Sequence, residues 1–312
     1  MRSLVVIAVS ALVPLGVLAA TAAGTAKPIS AGAGCAKSSL KTVSDGMLTV
    51  GTDNPAYPPW YAGGSKSSFW KINDPSNGKG FEPAVAYAVA SKLGYPHNKV
   101  KWVYVPFNRS YAPGPKSFDF DINQISYTPA RAKVVSFSNS YYDVNQALVV
   151  LKGKAISKAR SVAALKDFKL GAQLGTTSYD FIKNTIKPSK SPSVFPENAA
   201  AIQALKNGQI DGLVVDLPTA FYVTAVQVPN STLLGQFQTE TGGEHFGMVF
   251  AKGNPLVACV NEALTSLKAT GALKKIQQQW LAKATGAPVL KSKPAARRSS
   301  AGGMPAAAGV VS

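Results

Sequence analysis

Between residues 47 and 281 short apolar runs alternate with segments of helical period, and this alternation most narrows the folds open to the chain. Strand-like runs fall at 47–51, 100–105, 119–126, 169–173, 210–215 and 247–251. Segment 81–93 carries Phe81, Val85, Val89 and Leu93 at helical spacing, starts near Pro83 and stops at Gly94. Further helices are expected from Pro129 and over 178–183, 199–205, 218–225, 257–267 and 272–281. Such alternation predicts α/β architecture with mostly parallel sheets. Ligands of such sheets sit beyond the carboxyl ends of the strands, where helices begin.

The chain has 312 residues, 46% hydrophobic and 15% charged, enough apolar matter for sizeable cores. Its formal charge of +18 suits nucleic acid, an anionic cell envelope or simple solubility. No zinc-finger spacing, aromatic RNA motif or concentrated basic helix accompanies the spread lysines, so nucleic acid is not the expected partner. An envelope location accounts for the charge better.

Arg2, the apolar run 4–20 and the small residues Thr21, Ala22 and Ala23 have the order of a secretory signal, assigned to residues 1–26. The rival is an uncleaved anchor, for which the run is barely long enough. The Ala-, Gly-, Ser- and Lys-rich residues 27–42 read as a linker. Residues 288–312, with Lys291, Lys293, Arg297 and Arg298 among Ala, Gly, Pro and Ser, read as a disordered basic tail. The two cysteines, Cys35 and Cys259, leave three states open in an exported protein: a disulfide, lipidation of Cys35, or two free thiols. Against lipidation, Cys35 lies well beyond the apolar run and Gly32 stands where Leu is usual.

Three junctions carry polar groups where helices are expected to begin. In Ser126-Tyr127-Thr128-Pro129-Ala130-Arg131, Thr128 and Pro129 form a helix start that places the planar fork of Arg131 at the mouth of a strand. In Gly175-Thr176-Thr177-Ser178, hydroxyls and free N–H groups gather at a helix N-terminus suited to an anion. The run 211–215 delivers Asp216 ahead of Pro218, where it either receives an ammonium group or caps the helix. Tyr57, Trp60 and Phe107 follow strands, where rings either sandwich a small ligand or fill the core. The set supplies an Arg and helix-end donors for a carboxylate, an Asp for an amine and rings for a side chain, as a free amino acid requires.

These segments also resemble a family. Leu48-Thr49-Val50-Gly51-Thr52-Asp53 with Tyr57-Pro58-Pro59-Trp60, then Gly80-Phe81-Glu82 and Thr128-Pro129-Ala130-Arg131, resemble type 3 extracellular solute-binding proteins of polar amino-acid ABC transporters. Phe137-Ser138, Gln173-Leu174-Gly175-Thr176-Thr177, Ala204-Leu205-Lys206-Asn207-Gly208 and Lys252-Gly253-Asn254-Pro255 continue the likeness in order.

The resemblance implies two α/β lobes, 36–147 plus 247–287 and 148–246, joined by two hinge strands and closing on ligand. It implies that Arg131, Ser126 and Thr177 hold the ligand α-carboxylate, with Asp216 on the α-amino group and Tyr57, Trp60 and Phe107 around the side chain. Gln124 departs from the family's small residue and either offers its backbone carbonyl to the amine or intrudes with its amide. An extra residue at Asn54 or Pro55 makes Asp53 an uncertain contact. The implied partner is a membrane ABC permease, and the protein is expected to be a monomer, exported to the periplasm or cell surface.

The rival functions are a cyclohexadienyl-dehydratase-like enzyme on the same fold, and a ligand sensor or surface receptor. Catalysis would need an acid or base in the cleft. His97 reads as a surface residue, His245 as structural, and Glu244 is the remaining candidate. No metal-ligand spacing, phosphate loop or nucleophile elbow is present, so no cofactor and no catalysis are expected.

Overall fold

The computed structural model describes residues 33–237, 243–282 and 287–291. The expected signal segment and all but the first residues of the expected tail lie outside these.

The chain begins the first lobe with β1 (Leu48–Thr52), α1 (Phe81–Lys92), β2 (Val100–Tyr104), α2 (Phe107–Ser110), β3 (Phe120–Asp121), α3 (Pro129–Ala132) and β4 (Val135–Phe137). It leaves through β5 (Tyr142–Asp143). The second lobe follows with β6 (Gln146–Leu151), β7 (Leu170–Gln173), α4 (Thr177–Phe181), β8 (Ser193–Phe195), α5 (Asn198–Lys206), β9 (Gly212–Asp216), α6 (Leu217–Tyr222) and β10 (Ser231–Phe237). The chain returns through β11 (His245–Phe246) to β12 (Val249–Ala251), α7 (Leu256–Ala269) and α8 (Ala272–Leu281).

Each lobe is built on one sheet of five strands, ordered β2-β1-β3-β12-β4 in the first and β10-β6-β9-β7-β8 in the second. The antiparallel pair β5–β11 forms a separate ribbon where the chain crosses in each direction. This is the expected two-lobed clamp with two hinge strands.

The sheets correct the expectation of mostly parallel pairing. β1 pairs parallel with β2 and β3, and β7 with β8 and β9. But β12 runs antiparallel to β3 and β4, and β6 antiparallel to β9 and β10. The antiparallel strands are those that follow a crossing, where the chain enters a sheet without a helical crossover to reverse it. The expected lobe boundary between residues 147 and 148 would cut β6, which lies wholly in the second sheet.

In the first lobe α1, α7 and α8 pack on one face of the sheet around Phe81, Val85, Val89, Phe250, Val260 and Leu264, all buried. The second sheet is covered on both faces, around Leu205 and Leu213 on one and Leu148, Leu170 and Val214 on the other. A strand with both faces covered reads as a continuous apolar run, as residues 147–151 of β6 do.

Residues 287–291 belong to this second lobe, not to a tail or to the first lobe. Val289 and Lys291 make isolated bridges to Gln236 and Ser161, and Leu290 is buried beside Phe237. Two apolar residues among the prolines and lysines are enough to dock the segment on the open edge of β10. At the other end Cys35 and Cys259 form a disulfide, with Cα atoms 5.4 Å apart, tying the arm before β1 to α7. Among the described residues no helix is long and apolar enough to cross a membrane.

Candidate functional site

A cavity of about 260 Å³ lies between the lobes. The parallel strands β1, β2, β7 and β9 end on it, contributing Asp53, Tyr104, Gln173 and Asp216 at or just beyond their carboxyl ends. Of the residues expected to bind ligand, Tyr57, Trp60, Phe107, Gln124, Ser126, Thr176, Thr177 and Asp216 all line it. Arg131 does not.

Arg131 sits behind the cavity wall. The hydroxyl of Thr128 caps α3 by accepting from Arg131 N at 3.1 Å, which fixes the first turn as Thr and Pro at these positions predict. The guanidinium, only 8% exposed, donates to Ser126 O at 2.6 Å and to Gly175 O at 2.8 Å in the opposite lobe. It lies 4.3 Å from the ring of Tyr111, whose hydroxyl donates to Gly175 O as well. The approach needs a glycine. A Cβ on Gly175, at φ +75°, would stand 2.6 Å from the Tyr111 hydroxyl.

Ser126 from the first lobe and Thr177 from the second have hydroxyl oxygens 3.3 Å apart. Both donate to one oxygen of the Glu244 carboxylate, which comes from the segment leading into β11. The other oxygen of Glu244 accepts from Gln146 Nε2 at 2.8 Å. The same nitrogen donates to Asp216 at 2.9 Å, and Ser178 donates to Gln146 Oε1 at 2.6 Å. Thus Glu244 and Asp216 are held side by side by one amide. Burial, reinforced by the charge of Glu244, pushes the Asp216 carboxyl well above the usual range. Asp216 makes no side-chain bond to the start of α6, so of its two readings the helix cap is not the one adopted.

Thr176, in contrast, is a cap: its hydroxyl donates to Gln173 O and accepts from Tyr179 N at 3.2 Å. Trp60 is largely core, 2% exposed and edge-on to Phe81, Tyr142 and Phe246. Its indole N–H still reaches across the cleft to Thr219 Oγ1 at 2.9 Å.

Gln124 resolves its two readings in part. Its side-chain amide and its backbone N–H both donate to Glu82, away from a free role in the cavity. Its backbone has φ +50°, a conformation uncommon outside glycine. Glu82 is fully buried at the start of α1 and also accepts from the Tyr141 hydroxyl. Burial raises its carboxyl to about 7, against the lowering effect of these donors.

The cavity is also lined by groups that helix and strand patterns do not flag: Asp53, Glu197, Tyr104 and Tyr222. Burial, with a further push from Glu197, raises Asp53 to about 6 even though Asn54 N–H donates to it. Glu197 stands one residue before α5 and reads in sequence as an ordinary helix start. Only the pairing of β8 with β7 swings that turn over the cleft. The histidines match their expected places: His97 is exposed and stacked on Tyr87, and His245 lies in the β5–β11 ribbon stacked on Tyr127.

A two-lobed α/β clamp with a polar cavity between its lobes and a ribbon at the crossing is the architecture of proteins that close on a small solute. The chain belongs to the bacterial extracellular solute-binding proteins, family 3, whose model matches residues 48–283. It is 31% identical to the ABC transporter glutamine-binding protein GlnH of Bacillus subtilis (strain 168), over 67% of this chain and 76% of that one. It is 27% identical to a probable histidine-binding protein of Neisseria gonorrhoeae, over 70% of this chain and 80% of that one. Among solved structures it resembles an ancestral arginine-binding protein bound to glutamine, at 31% identity and a TM-score of 0.62, covering 76% of this chain and 99% of that one. It also resembles the ancestral amino-acid-binding protein AncCDT-1, a precursor of cyclohexadienyl dehydratase, at 30% identity and a TM-score of 0.60, covering 75% and 95%.

Proposed function

We propose that this protein is an exported receptor that captures a free α-amino acid by closure of its lobes and presents it to the membrane permease of an ABC importer. One observation carries the reading: hydroxyls from opposite lobes, Ser126 and Thr177, converge on a single carboxylate, that of Glu244. Two cavity-lining hydroxyls that hold a protein carboxylate from opposite lobes can hold the α-carboxylate of a ligand in its place. The incoming group takes these hydroxyls, and Arg131, whose fork joins the two walls, supplies the positive charge behind them. The ligand ammonium then lies against Asp216. An ammonium there relieves the crowding of two carboxylates on one amide, so ligand stabilises the closed state that already exists.

The relatives named for glutamine, histidine and arginine support an amino-acid ligand. In this reading the first lobe is the chain before β5 and after β11 as far as α8, and the second runs from β6 to β10 and takes in residues 287–291. With Cys35 committed to its disulfide, it is not free to carry a lipid; in this reading the mature protein acts as a monomer outside the cytoplasm. The dehydratase reading draws support from one structural neighbour, the precursor of cyclohexadienyl dehydratase. Against it, Glu244 has both oxygens engaged by donors and His245 faces Tyr127.

The test is a thermal-shift screen of the mature protein against the twenty protein amino acids and prephenate. Ligand at about 100 times its Kd adds about 2.7 kcal/mol of stability. A shift with one or a few amino acids is expected. A shift with prephenate alone, followed by turnover, would replace the receptor reading by the enzyme.

A further inference from the structure

The cavity belongs to a strongly basic chain, with 33 Lys and Arg against 15 Asp and Glu, yet its lining inverts that balance. Asp53, Glu197 and Asp216 line it, and among the described residues no Lys, Arg or His does. Asp216 is accounted for by the ligand ammonium of the preceding reading. Asp53 and Glu197 are not. They approach the cavity from opposite lobes, Asp53 beyond β1 and Glu197 ahead of α5.

We propose that the ligand is an amino acid with a long side chain ending in a cation, arginine-like or lysine-like, received between Asp53 and Glu197 at the mouth of the cavity. The inference rests on the amino-acid reading and adds the chemistry of the side chain. Closure brings the two carboxylates within each other's field, and the charge of Glu197 adds to burial in raising the Asp53 carboxyl. The rings of Tyr57 and Tyr104 stand in the same field, each perturbed by both carboxylates. Among the described residues neither carboxylate forms an ion pair. A like-charged pair closed together without a counterion opposes closure, and a cation between them removes the opposition. The tyrosine faces add the attraction of π-systems for a cation.

Two further atoms on the cavity wall are buried without a hydrogen-bond partner among the described residues: Nδ2 of Asn123, a residue 5% exposed, and Oδ1 of Asn198, next to Glu197. Buried polar atoms left unmatched in this way call for a polar occupant. Asn198 offers it an acceptor at the end where the cation is placed. Glu197 is exposed and Asp53 half-buried, so the side chain must be long enough to reach the rim.

The experiment is calorimetry at pH 7.5 with two near-isosteric pairs, L-arginine against L-citrulline and L-lysine against L-norleucine, and with L-glutamine. The cationic member of at least one pair is expected to bind at least tenfold tighter. In Asp53→Asn and Glu197→Gln, each checked by thermal unfolding for an intact fold, that ratio is expected to fall below threefold. Equal affinity within both pairs, or binding confined to glutamine or other neutral amino acids, overturns the cation inference and leaves the receptor intact. Binding of none of the twenty protein amino acids sinks the receptor reading itself.

Discussion

Arg131 was legible from the sequence because a Thr-Pro helix start fixes the direction of the next turn. What the sequence could not show is that its fork is spent on two carbonyls, one in each lobe. Its removal therefore acts on the fold as well as on ligand. Arg131→Ala should cost about 2 kcal/mol of stability, the usual worth of charge-assisted bonds to a buried acceptor, and lower amino-acid affinity at least 100-fold. Arg131→Lys keeps the charge but cannot span both carbonyls, and should fall between the two. Urea unfolding and calorimetry on both variants check this; a lysine variant equal to wild type in both would mean the fork is unimportant. Glu244 carries the complementary prediction. Because its carboxylate accepts from both Ser126 and Thr177, it competes with the ligand for them. Glu244→Gln should leave a weaker competitor and tighten binding severalfold in calorimetry. A loss of more than tenfold would show instead that its charge is needed by the ligand.

At the scale of elements, strands bounded by helix starts or glycines were readable, β12 among them, and β6, β8 and β10 were not. β1, β2, β7 and β9 are bounded by helix starts and glycines, and the structure moves their ends by a residue or two. β10 is interrupted by a register shift at Leu233 and Gly235, which breaks any alternation, and β8 has only three residues. β6, apolar throughout after Gln146, carries no period that distinguishes a strand from a hinge passage. The same lack of period made residues 288–291 look like tail. Gly235 shows why they are not: a Cβ there would stand 2.8 Å from Leu290, so β10 is bare where this segment lies against it. Leu290→Ala removes a side chain 5% exposed from the second lobe core and should cost about 2–4 kcal/mol in chemical unfolding. A solvated tail residue would change stability by less than about 0.5 kcal/mol.

The whole molecule sets a basic exterior around an acidic interior, and this makes its stability depend on pH in an uncommon direction. Glu82 rises from 4.5 to about 7, Asp53 from 3.8 to about 6, and Asp121 and Asp216 well above their ordinary values, burial leading in every case. A carboxyl raised by folding binds its proton more tightly in the native state than in the unfolded chain. Its stabilising effect is complete below the unfolded value and is lost as pH rises through the folded one. Glu82 alone, fully buried, represents on the order of 3 kcal/mol over that interval. The ligand-free protein should therefore lose melting temperature steadily from pH 5 to pH 8. Below pH 5 the large positive charge opposes this trend, since protonation of exposed carboxylates adds to self-repulsion. Ligand should alter the slope. An ammonium against Asp216 and a cation beside Asp53 favour the ionised forms of these two raised carboxyls and pull their protons off. Binding therefore strengthens as pH rises through about 6, where Asp53 gives up its proton, with Glu197, Tyr57 and Tyr104 as the titratable groups facing it. Scanning calorimetry from pH 5 to 8, with and without saturating ligand, measures both effects. A melting temperature that climbs with pH in the free protein would contradict the buried acidic interior. A ligand-induced shift that shrinks with pH would place the cation elsewhere than against Asp53.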